Sequence, residues 1–120
     1  MTDLISPAHS GLAALSLVTT LGWLVVVAFG PIGLRRPLYI AAMASTGLVG
    51  LSGLATMVVG GWWPVVFPYV GLAAVAVHAA AGGIAKRDLA AGRRGAAVVA
   101  ALVQVLTLIA AYGIMTVKPW

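Results

Sequence analysis

Apolar residues run along this chain in four long, nearly unbroken stretches, at about 8–29, 38–59, 64–85 and 96–117. Each is close to the ~20 residues that a helix needs to cross ~30 Å of hydrocarbon. Polar and turn-forming residues collect between them. Ser6-Pro7 precedes the first stretch as a helix-start signal, and Gly30-Pro31 closes it. A compact basic loop, 30–37, leads to the second stretch. Gly60-Gly61-Trp62-Trp63-Pro64 forms an uncharged turn before the third, whose Pro68 falls near its first turn, where a missing N–H costs little. A second basic loop, 86–95, precedes the fourth. The runs are continuous rather than alternating, which excludes a β-barrel. A signal peptide does not fit the first run, because its flank carries Asp3 instead of a cation and its apolar core is too long.

Short connections make consecutive helices antiparallel neighbours. The expected fold is all-α: an integral membrane up-down-up-down four-helix bundle in one domain. Composition agrees, with 62% hydrophobic and 8% charged residues in 120. Soluble domains carry roughly 45–50% and about 25%, and one this small has too little interior to hide so much apolar surface.

Charge then orients the bundle. Arg35 and Arg36 precede span two, and Lys86, Arg87, Arg93 and Arg94 precede span four, so one side holds six of the seven basic residues. The positive-inside rule places that side in the cytoplasm and both termini outside. Trp62, Trp63, Tyr69, Tyr112 and Trp120 fall on the outer half, as an interfacial aromatic belt does. The expected location is a membrane crossed four times, with loops 30–37 and 86–95 on the cytoplasmic side. The loop cations suit anionic headgroups and are too few for a nucleic-acid face.

Chemistry is sparse. The chain has no cysteine and no glutamate, and its two aspartates, Asp3 and Asp88, lie outside the apolar runs. Thiol chemistry and an intramembrane carboxylate relay are thereby excluded. His78 is the one ionisable residue deep in a span. It suits either an interhelical hydrogen bond or axial ligation of a b-type haem. His9 does not share its depth. It lies within a turn of the outer end, while His78 sits about fourteen residues, or roughly 20 Å, deeper. Met43 is depth-matched to His78 and completes a candidate haem pair; Met57 is level with His9. Gln104, with Ser45, Thr46 and Ser52, is expected to bond between helices, and His9 to be a solvated residue of the first turn. Small residues recur at helical spacing: Ala44, Gly47, Gly50 and Gly53 on span two, Ala76, Ala79, Ala80 and Gly83 on span three, and Ala97 and Ala101 on span four. Such residues let helices approach closely in lipid, within the bundle or against a second copy or larger partner.

The second half, GLAAVAVHAAAGGIAKRDLAAGRRGAAVVAALVQVLTLIAAYGIMTVKP, resembles the SirB-type four-helix membrane proteins of bacteria. That resemblance implies a fold without chemistry, set in a bacterial cytoplasmic membrane. His9 and His78 resemble the histidines in the first and third helices of HemJ-type protoporphyrinogen oxidases. That family also relies on a lysine within its third helix, and 63–85 contains none. The resemblance therefore implies at most a haem- or porphyrin-binding relative. Two functions are expected from these readings: a non-catalytic accessory or scaffold subunit of a membrane complex or homo-oligomer, or a haem b protein with His78 as ligand.

Overall fold

The computed structural model describes residues 2–30 and 32–117. It contains four long helices: α1, Thr2–Phe29; α2, Arg35–Gly60; α3, Phe67–Ala90; and α4, Arg94–Val117. A single 3-10 turn, Ile32–Leu34, links α1 to α2, and no strand occurs among the described residues. All four helices are long and apolar enough to cross a membrane. Pro31 and Trp120, named above in a helix stop and in the aromatic belt, lie outside the described residues.

The helices overrun the expected spans at their polar ends. α1 begins at Thr2 rather than after Pro7, which lies inside the helix. Arg35 and Arg36 form the first turn of α2, and Lys86, Arg87 and Asp88 the last turns of α3, so neither group belongs to a loop. Charge ends an apolar run, but it does not end a helix: arginine and lysine are good helix formers. The α2–α3 and α3–α4 turns close in the same way. Gly61 (φ 67°) and Gly92 (φ 79°) adopt the left-handed conformation. The following N–H groups reach back, Trp62 to the Met57 carbonyl at 2.9 Å and Arg93 to the Asp88 carbonyl at 2.8 Å. Glycine is used at these two positions because a Cβ there is strained.

α1 packs most closely on α2, and α3 on α4; the two pairs meet through α1 with α4 and α2 with α3. The body measures 46 × 22 × 18 Å, against a bilayer of about 40–45 Å with its headgroups. It has three storeys. At the end holding the arginines, Trp23, Val27, Ala42, Ala85, Leu89, Ala97 and Ala101 form an apolar core. A belt of polar side chains crosses the middle. The other end is loosely filled.

Candidate functional site

The middle belt draws on all four helices. α1 contributes Ser16, Thr20 and Trp23, which recur at steps of four and three and so share one face. α2 contributes Ser45 and Thr46, α3 contributes His78, and α4 contributes Gln104. All are buried, His78 and Gln104 completely. The Thr46 hydroxyl donates to the Ala42 carbonyl at 2.7 Å. The Ser16 hydroxyl, its close neighbour, therefore donates to Thr46. Thr19 and Ser45 make a parallel link at 3.0 Å. Gln104 closes the belt on the far side. It accepts from Trp23 Nε1 at 3.0 Å and donates to the His78 carbonyl at 3.3 Å.

His78 Nε2 lies 3.0 Å from Thr20 Oγ1 and 3.4 Å from Thr46 Oγ1, while buried Nδ1 has no hydrogen-bond partner. A buried orphan N–H is costlier and rarer than an orphan acceptor. On that ground we assign the proton to Nε2, donating to the threonines, and the lone pair to Nδ1. Neither His78 nor Met43 lines either cavity described below. Met43 Sδ receives the Gln104 amide at 3.9 Å and packs against Gly82, one helical turn beyond His78. Met43 and His78 thus meet the same glutamine from different levels.

His9 is placed differently from the solvated position expected of it. Because α1 starts early, His9 lies two turns inside, half-buried, with Nδ1 2.7 Å from Ser52 Oγ and its ring against Gly53. Thr20, which contacts His78, is eleven residues further along α1, roughly 16 Å at 1.5 Å per residue. The two histidines occupy separate storeys. His9 instead borders a cavity of about 370 Å³ at the loosely filled end, shared with Ser16, Gly50, Gly53, Met57 and Trp62 among others. No formally charged residue lines it, so it offers nothing to pair with an ionic ligand.

At the other end the charged residues divide into two sets. Asp88 accepts from Arg93 Nη2 at 2.8 Å and lies 3.6 Å from Arg87 Nε. Arg94 Nη1 donates to the Ala28 carbonyl at 3.1 Å, tying the start of α4 to the end of α1. Arg35, Arg36 and Lys86 instead line an open cleft of about 540 Å³ between α2 and α3, with Trp23, Tyr39 and Leu89.

The sequence pointed to His78, Gln104, Ser45, Thr46 and Ser52, and all five bond between helices or within their own. It did not point to Ser16, Thr20 or Trp23. Their signal was present as hydroxyls and an indole at four-three spacing on one face of span one. Among described residues no group of three His, Cys, Asp or Glu side chains could hold a metal. No family model, curated protein or solved structure matches the chain, so nothing there bears on the SirB-type or HemJ-type resemblance.

Proposed function

We propose that this is a multi-pass membrane protein that serves as a non-catalytic accessory or scaffold subunit, packing against other membrane proteins through the outer face of α3. The carrying observation is a contrast between helix exteriors. α1 and α4 turn Leu15, Val18, Val25, Phe29, Val99, Leu106 and Ile109 outward. α3 exposes Tyr69, Val77 and Ile84 as well, but sets between them Ala73, Ala76, Ala80 and Gly83, at steps of three, four and three, and α2 exposes Ala44 and Gly47. Bulky side chains mix well with acyl chains. A seam of small ones gains little from lipid and permits close approach of another helix. The interior supports the same reading, because its polar side chains, His78 Nδ1 apart, are spent on one another.

A photoreactive residue placed at Val77 on that face is expected to capture a membrane protein in cells. Ala76→Leu with Ala80→Leu should reduce capture at least tenfold while the helical circular dichroism is unchanged. A clean monomer after gentle solubilisation, with no capture, sinks the reading.

In this reading the helices alternate in direction across the bacterial cytoplasmic membrane, arginine end inside, termini outside. Single cysteines at Pro64 and Ala91, both exposed turn positions free of the left-handed strain at Gly61 and Gly92, test it. The first should react with an impermeant maleimide on intact cells and the second only after lysis. The opposite pattern inverts the orientation.

A further inference from the structure

The geometry points to the cleft between α2 and α3 as a binding site for a phosphate-bearing anionic headgroup, a feature independent of the outer face of α3. Arg35, Arg36 and Lys86 line it and no carboxylate does. The nearby Asp88 is committed to Arg93 and Arg87, and among the described residues no carboxylate pairs with the three cleft cations. Arg35 Nε is buried there without a hydrogen-bond partner. A buried guanidinium N–H without an acceptor is costly, and a phosphate oxygen supplies the strong, charge-assisted partner it lacks. Lys86 is held over the Tyr39 ring, its Nζ 4.9 Å from the centroid, which fixes its charge at the cleft.

The backbone adds to this. α2 starts at Arg35, and its N-cap residue, Leu34, makes no side-chain capping bond. The partial positive charge of a 26-residue helix is therefore presented on the same side as the cations. The rest of the lining is apolar: Trp23, Ile40 and Leu89. Cations beside an apolar wall suit a phospholipid, whose phosphate meets the charges while its glycerol and upper acyl chain lie along the wall. Free phosphate shares the charge chemistry but makes no use of the wall.

The full-length protein, purified in neutral detergent, should retain phosphatidylglycerol over phosphatidylcholine when the bound lipid is counted by native mass spectrometry. Arg35→Gln and Lys86→Gln should each lower that retention about fivefold, the effect of removing one nearby cation. Arg87→Gln removes the same charge from an exposed neighbour already beside Asp88 and should change it less than twofold. Equal losses from all three variants, or equal retention of both lipids, overturn the proposal by reducing it to diffuse attraction. Millimolar inorganic phosphate that displaces phosphatidylglycerol assigns the site to phosphate itself; failure to displace it assigns the site to the lipid. Should Arg35→Gln not fold, Lys86→Gln at its exposed position carries the test alone.

Discussion

Replacing Trp23 by alanine will destabilise the bundle by about 3 kcal/mol, the lower end of the range for emptying a large aromatic site. The estimate sits low for a physical reason. In lipid the separated helices remain in an apolar solvent, so the ordinary hydrophobic transfer term is absent. What is lost is contact and hydrogen bonding. The indole is 1% exposed at the centre of the apolar core and meets Tyr39 edge-on, with ring centroids 5.3 Å apart. Such a pair contributes about 0.5–1.5 kcal/mol beyond its area. Its Nε1–H is also the donor to Gln104 Oε1. Truncation leaves that buried carbonyl unpaired, at a cost of about 1–2 kcal/mol. Equilibrium unfolding in mixed micelles, followed by circular dichroism, measures the sum. Trp23→Phe keeps most of the packing and loses only the donor, so it should cost about 1 kcal/mol. A loss below that for Trp23→Ala itself means that this contact does not hold α1 to α4.

The four helices were legible because runs of about twenty apolar residues have few other uses in a chain this short. Which face of each helix points inward was harder to read. In a soluble protein the apolar stripe marks the core. Here both faces are apolar, and polar residues mark the inside instead, as Ser16, Thr20 and Gln104 do. The small residues of α2 show a second limit. Ala44, Gly47, Gly50 and Gly53 look like one stripe, but three residues fall short of a full turn by about 60°. The series therefore winds around the helix. Gly50 meets Val75 and Gly53 meets His9, whereas Ala44 and Gly47 face outward. His78 was identifiable as buried, but its partners were not, since Thr20 sits 58 residues away on a helix whose depth depended on where α1 begins.

Gly82→Leu will be comparably damaging, for the opposite reason. A Cβ on Gly82 would lie 2.6 Å from Gln104 Nε2 and 2.7 Å from Met43 Sδ. Alanine already requires Gln104 to leave the His78 carbonyl and Met43 to swing away. Leucine adds three more carbons where α2, α3 and α4 meet, and overpacking of this kind costs about 3 kcal/mol, the upper part of its usual range. The neighbouring glycine provides the control. A Cβ on Gly83 meets nothing within 4 Å, and the residue is exposed. Gly83→Leu should therefore unfold within about 0.5 kcal/mol of the parent, as surface substitutions do. Yet Gly83 belongs to the outward seam of α3, so the same leucine should weaken capture of a membrane partner at least tenfold. Two adjacent glycines thus report on different properties, Gly82 on the polar belt and Gly83 on association. If Gly83→Leu leaves capture intact, the small-residue face of α3 is not the docking surface. If Gly82→Leu unfolds like the parent, Gln104 does not bridge α1, α2 and α3 at this level.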